Sequence, residues 1–139
     1  MIVKIVDYAT EREAIRRIRD EVFVIEQSVP PELEHDDQDQ RAVHVLAYSG
    51  GVPVGTGRIT PEGKIGRMAV LASHRGRGAG RLILENLVAI AEGLALMQVY
   101  CFAQCHAIAF YERLGFTAEG PVFEEAGIGH RRMFRRLPG

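Results

Sequence analysis

The chain has 139 residues, with 17 Lys and Arg against 18 Asp and Glu and a formal net charge of −1 at pH 7, so no global positive field draws it to nucleic acid. Apolar residues make up 47% and charged residues 25%, a composition suited to a soluble globular protein long enough to bury one core. Two cysteines, Cys101 and Cys105, make neither a disulfide framework nor a four-ligand zinc site.

Taken in chain order, MIVKIV alternates apolar and polar and predicts a first strand. Thr10 and Glu13 have capping-box spacing, and the helix that follows carries Ile15, Ile18, Val22 and Ile25 at helical intervals through Glu26. Pro30 and Pro31 end it, and PPELEHDDQDQ is polar, acidic and without period, hence a loop. AVHVLAYSGGVPVGTGRITPEGKIGRMAVL predicts three antiparallel strands joined at SGG and TPEG, with Pro53 at a strand start or beside a bulge. Leu82, Ile83, Leu87, Ile90 and Ala91 mark a second amphipathic helix ending near Gly93. LALMQVYCFA is a short apolar run expected as a strand buried on both faces, and AIAFYERLG a short helix stopped by Gly115. FTAEGPVF and HRRMFRRL predict two last strands with an irregular connection. The sum is a mixed α/β sheet with helices on both faces, in one domain over residues 1–139. Met1 leads straight into IVKIVDY without the pattern of a secretion signal, and no apolar run approaches the roughly 20 residues that cross a bilayer. The expectation is a cytoplasmic protein that binds no membrane, no nucleic acid and no metal.

The most informative stretch is HRGRGAGRLILENL, His74 to Leu87. A strand, a glycine-rich turn and a helix N-terminus together form an anion site, because the first helical turn has unpaired N–H groups and the macrodipole is positive there. Two nucleotide motifs fail. A P-loop needs Gly-Lys-Ser/Thr, which is absent, and a dinucleotide fingerprint begun at Gly76 needs glycine where Arg81 stands. RNA-binding RG segments lie in low-complexity context, whereas this one lies between a strand and a helix.

Arg75-Gly76-Arg77-Gly78-Ala79-Gly80 after MAVLASH resembles the R/Q-x-x-G-x-G/A signature of the GCN5-related N-acetyltransferases (GNAT). Gln104 to Phe116, Q-x-x-A-x-x-F-Y-E-R-L-G-F, resembles that superfamily's last helix and the strand entry after it. EVFVIEQSVPPELEHDD, AQCHAIAFY and FEEAGIGHRRM extend the likeness to the small bacterial YjcF-like or ElaA-like branch and cover nearly the whole chain. The resemblance implies a mixed, mostly antiparallel sheet of six to seven strands and an acetyl-CoA-dependent N-acetyltransferase acting on a primary amine of a small molecule or peptide. It also implies a possible homodimer, since dimers are common in the superfamily. A catalytically weak acyl-CoA-binding regulatory domain, or transfer of another acyl group or to another acceptor, is the alternative.

The resemblance further implies roles for particular residues. Backbone groups of Met68, Ala69 and Val70 pair with the pantetheine arm as an added strand would. The turn from Arg75 through Gly76, Arg77, Gly78, Ala79 and Gly80 to Arg81 holds the pyrophosphate, and a backbone N–H near Val70 stabilises the oxyanion. Gln104, where the broader superfamily often has asparagine, and Phe110 lie at the cofactor. Tyr111 occupies the general-acid position. Glu26 and Glu125 lead the candidates for general base, followed by Glu34, Asp36, His44 and His130. Arg67 binds an acceptor carboxylate or else neutralises Glu26 or Glu125, and His130 faces the acceptor. The acidic loop from Glu32 to Asp39 attracts a cationic amine or is a solvated face. Gly129 stands where the branch commonly has proline. No cysteine looks activated: Cys101 sits in the buried strand run and Cys105 lacks an evident partner, so transfer is expected to be direct, in a ternary complex.

Overall fold

In the computed structural model, which describes residues 1–138, β1 (Ile2–Val6) leads into α1 (Tyr8–Arg19). Asp7 caps this helix, not Thr10: its carboxylate accepts the Thr10 N–H at 3.0 Å and the Thr10 hydroxyl at 2.8 Å. An ionised N-cap suits the positive end of the helix dipole, so the helix starts earlier than the Thr10–Glu13 spacing predicts. Past Arg19 the chain continues as a π-helix over Asp20–Glu26. Its wider turns rotate later residues off the α-helical stripe. Ile15, Ile18 and Val22 are buried as expected, but Ile25 is 74% exposed.

The acidic segment is not a solvated loop. It forms α2 (Pro31–Glu34) and a 3-10 turn over Asp37–Gln40, and Glu34 and Asp39 are each only 2% exposed. The reason is a buried charge network. Arg19 donates to Glu34 at 2.5 Å and to Asp39 at 2.7 Å. Arg58 donates to the same Asp39 oxygen at 2.7 Å and to both oxygens of Asp36 at 2.7 and 2.8 Å. His44 sits against this network with its Nε2 2.9 Å from the Asp39 carbonyl and its ring stacked on Tyr8.

β2 (Val43–Ser49), β3 (Val52–Ile59) and β4 (Ile65–Val70) follow as antiparallel neighbours, giving a sheet in the order β1-β2-β3-β4. The register slips between Ala47 and Tyr48, opposite Gly55 and Pro53, so a bulge lies beside Pro53 as predicted. After α3 (Ala79–Gly93) come β5 (Gln98–Gln104), α4 (Ile108–Arg113), β6 (Thr117–Glu125) and β7 (Ile128–Arg136), and the last three strands form a second sheet in the order β5-β7-β6. The seven strands form the expected mixed, mostly antiparallel α/β fold, divided into two sheets. These meet at a parallel bridge between Lys64 and Tyr100, where the Tyr100 N–H donates to the Gly63 carbonyl at 3.0 Å. Two expectations need correction here. β5 buries Val99, Cys101 and Ala103 on one face while Phe102 is 37% exposed on the other, because β5 has a cleft on one side rather than a helix layer on both. The β6–β7 connection is not irregular. Glu125 pairs with Ile128 across Ala126 and Gly127, both at positive φ, which is a tight type I′ hairpin without its usual Asn-Gly signature.

Helices cover both faces. α1 and the π-helix after it pack Ile15, Ile18 and Val22 on Leu46 and Ala69, while α3 packs Ile83, Leu84 and Leu87 in a larger cluster with Val45, Ala47, Val99 and Met133 that spans both sheets. Close approach of α3 depends on Gly57 of β3. A Cβ there would lie 2.8 Å from Ile83 Cγ2 and 3.0 Å from Leu87 Cδ1.

Two stability predictions follow from this packing and charge. Gly57→Ala should lower unfolding free energy by about 1–3 kcal/mol through overpacking, measured by urea denaturation. For Asp36, burial opposes ionisation, but hydrogen bonds and charge from Arg58, with help from Arg67, bring its pKa from 3.8 down to about 2. A depressed folded-state pKa stabilises the fold above the unfolded value, and that contribution is lost as pH falls through the folded one. Unfolding free energy should therefore drop between pH 3.8 and about 2, and Asp36→Asn should flatten that part of the pH profile.

Candidate active site

Beyond the Lys64–Tyr100 bridge, β4 and β5 part, and a cleft of about 830 Å³ opens between them. One cause lies in β4. Between Arg58↔Gly66 and Thr56↔Ala69 the register shifts, and Arg67 sits at φ 50°. A left-handed arginine in a strand is strained, and such a bulge bends and twists its strand. The Arg67 side chain holds it there: Nε donates to the Glu34 carbonyl at 3.1 Å, and Nη2 to the Leu33 carbonyl at 3.4 Å and to Asp36 at 3.2 Å. Arg67 thus pairs with α2 and Asp36 rather than with Glu26 or Glu125.

The edge of β4 is the first wall. Val70 is opposite Gly55, and the flanking bond runs from the Leu71 N–H to the Val54 carbonyl at 2.9 Å. By antiparallel alternation, the N–H and C=O of Val70 therefore point away from β3, toward the cleft, and those of Ala69 point to Thr56. Met68 shares the cleft-facing edge at period two. Ala69 lines the cleft but spends its backbone groups on β3, which narrows the expected backbone trio to Met68 and Val70.

The glycine-rich turn closes the end of this wall. Gly78 caps α3 at φ 83°, with no side-chain cap, so the N–H groups of the first helical turn have no partner within the helix. A Cβ on Gly76 or Gly78 would meet nothing within 4 Å. The positive φ at both, rather than lack of space, requires glycine. Arg81 lines the cleft and pairs with Glu85 at 2.6 Å, whereas Arg77 is exposed and off the lining. Arg75 is engaged elsewhere: it donates to the Val70 carbonyl at 2.9 Å and to both oxygens of Glu26 at 2.7 and 2.8 Å.

β5, α4 and the β6–β7 hairpin form the second wall. α4 ends in a Schellman motif at Gly115, with the Phe116 N–H on the Tyr111 carbonyl at 3.1 Å and the Gly115 N–H on Glu112 at 3.1 Å. That fixes Tyr111 and Phe110 toward the cleft, and the Tyr111 hydroxyl donates to Met68 Sδ at 3.6 Å across it. Burial and the neighbouring Cys101 push the phenol's pKa up, and burial pushes the Cys101 thiol up to about 12. Gln104 ends β5 in the lining and donates to Gln27 at 2.8 Å, joining it to the end of the π-helix.

The base candidates separate by position. Glu26 is off the lining, and its hydrogen bonds from Arg75 hold its carboxyl below the usual range. Glu34 reaches the cleft but is committed to Arg19, and Asp36 to Arg58. His44 is buried in the network away from the cleft, and burial lowers its pKa. Glu125 and His130 remain, both in the lining on the hairpin. Glu125 has no ion pair within 4 Å among the described residues. His130 Nδ1 is 2.7 Å from the Ile128 carbonyl, which makes Nδ1 the donor and leaves Nε2 as the acceptor of the neutral ring. Lining residues that sequence reasoning did not nominate include Lys64, Phe23, Gln27 and Phe102. Of these, Lys64 directly follows the TPEG turn signal and nothing local marks it as functional.

The model of the acetyltransferase (GNAT) domain matches residues 6–137. The uncharacterized N-acetyltransferase YjcF of Bacillus subtilis (strain 168) is 37% identical over 122 residues, 85% of this chain and 87% of that protein. An acyl-CoA N-acyltransferase from Pseudomonas aeruginosa superposes with a TM-score of 0.85 at 34% identity, over 96% of this chain and 98% of its own. Escherichia coli ElaA gives 0.85 at 27% identity, over 97% and 99%.

Proposed function

The chain belongs to the GNAT family of acetyltransferases and is an acyltransferase, and from that premise we propose that it moves an acetyl group from acetyl-CoA directly to a primary amine held in the same cleft. The observation that carries this reading is the union on one wall of a strand edge whose Val70 N–H points off β3 and an uncapped helix N-terminus, faced by a half-buried phenol. The residues present suit acetyl-CoA. The edge at Met68 and Val70 offers an arm of amides a strand to pair with, and the first turn of α3, with Arg81 beside it, suits a diphosphate. The acyl-CoA named in the Pseudomonas neighbour is in keeping with this.

Acetyl-CoA supplies an activated acyl carbon and a thiolate leaving group. The Val70 N–H, aimed off β3, stabilises the oxyanion, a contribution of about 2.7–4 kcal/mol for one preorganised donor. His130 Nε2 takes the proton lost by the amine as the C–N bond forms. Tyr111, protonated at neutral pH as any phenol is, gives its proton to the sulfur as the C–S bond breaks. Direct transfer is favoured over a thioester on the enzyme, since a Cys101 thiol near 12 is ionised in only about one molecule in 10⁵ at pH 7.

Calorimetry with coenzyme A and thiol release from acetyl-CoA over a panel of amines test the reading together; a protein that ignores coenzyme A sinks it. Tyr111→Phe should lower kcat by about 100-fold or more with coenzyme A affinity little changed, and equal turnover would instead indicate a binding module. His130→Gln should lower kcat by about 100-fold with coenzyme A affinity little changed, measured by the same thiol-release and calorimetric assays.

A further inference from the structure

A second, polar cavity of about 340 Å³ adjoins the cleft and shares Lys64, Gly66, Arg67 and Glu125 with it. Most of its charges are matched. Arg41 forks onto Glu62 at 2.7 and 2.8 Å, Arg58 onto Asp36, and Arg67 leans on Asp36. Two opposite charges at the shared boundary are left: Lys64 and Glu125 have no ion pair within 4 Å among the described residues. The Lys64 ammonium lies 4.3 Å from the centroid of the Phe102 ring, so an aromatic face holds it without neutralising it. Arg67 adds to this corner, since its Nη1 makes no hydrogen bond among the described residues.

We infer that this boundary recognises the carboxylate of the acceptor, which makes the substrate class an amine that also carries a carboxylate. Lys64 receives the carboxylate and Glu125 faces the ammonium end before it is deprotonated. A zwitterion supplies a directly paired partner for each charge, whereas a simple amine leaves half-buried Lys64 with Glu125 and Asp36 acting on it only from beyond 4 Å. Burial lowers the Lys64 pKa, and Arg67 and Arg58 lower it further against Glu125 and Asp36. An arriving carboxylate relieves that strain on the charge. The inference rests on the cleft being an acetyltransferase site and assigns which amines enter it.

The test compares the protein amino acids with their decarboxylated amines in thiol release from acetyl-CoA, and in calorimetric binding to the full chain loaded with coenzyme A. The expected result is a KM at least tenfold lower for one or more amino acids than for the matching amine. Lys64→Met keeps the stem over Phe102 and the backbone bridge to Tyr100. It should erase that difference by raising the amino-acid KM tenfold or more, with the amine's KM and coenzyme A affinity unchanged. Amines that react as well with or without the carboxylate overturn the inference and leave the acetyltransferase reading standing. Lys64→Met raising both KM values equally overturns it as well. Amino acids that bind the loaded protein through Lys64 without being acetylated support carboxylate recognition at this boundary and overturn the acetyltransferase reading. If no amino acid binds at all, the inference fails.

Discussion

The bulge at Arg67 is the constraint on which the cleft depends. A parallel neighbour for β4 is available in β5, and at Lys64 and Tyr100 the two strands begin to pair. Continued pairing would consume the N–H and C=O groups of Met68 and Val70. The left-handed turn at Arg67 bends β4 out of that path; Arg75 meets the Val70 carbonyl, and the Val70 N–H is left facing the gap. Strain of this kind costs of order 1–3 kcal/mol and persists only where neighbours over-determine it. Here the same residue supplies the remedy, because its guanidinium is anchored on the carbonyls of Leu33 and Glu34.

That anchor is firm only because α2 is itself fixed. Glu34 and Asp39 are buried charges, and taking them from water is costly unless each is paired and hydrogen-bonded. Arg19 from α1 pairs with both, and Arg58 from β3 pairs with Asp39 from the opposite side, so the acidic segment is clamped between a helix and the sheet. Such a network adds little net stability over an apolar core, but removal of one partner strands a buried charge. Its use is in position. It turns a polar stretch into a rigid wall, and the cleft-facing residues Leu33 and Glu34 sit on that wall.

Elements whose signals are local were legible in the sequence. The hairpin strands β2 to β4, the bulge at Pro53, α3 and the Gly115 cap all carry periodicity or turn chemistry within a few residues. The cleft's first wall was legible for the same reason, since strand, turn and helix are contiguous from Met68 to Arg81. Failures occurred where distant partners decide. RRIR places Arg19 in a run of arginines that looks solvated, and only Asp39 and Glu34 make it core. Glu26 and Arg75 are 49 residues apart, and no spacing rule foretells that each occupies the other. Ile25 follows α-helical spacing but sits in a π-helix, whose different period no composition signal announces. Ala126-Gly127 adopts a I′ turn with alanine at positive φ, against the usual preference for asparagine there.

The two walls differ in what evolution can change. On the proposed reading the donor is met by backbone groups of Met68, Val70 and the first turn of α3, which survive most side-chain replacements and need glycine only where φ is positive. On the same reading the acceptor is met by side chains on three separate pieces: α2, the turn before β4, and the β6–β7 hairpin. Loops carried on a rigid frame are where specificity is free to drift. On the proposed reading the choice of acceptor rests on a few side chains such as Lys64, Glu125 and His130. Tyr111 lies on the second wall, where burial favours its neutral phenol and α4 holds the hydroxyl 3.6 Å from Met68 Sδ across the cleft.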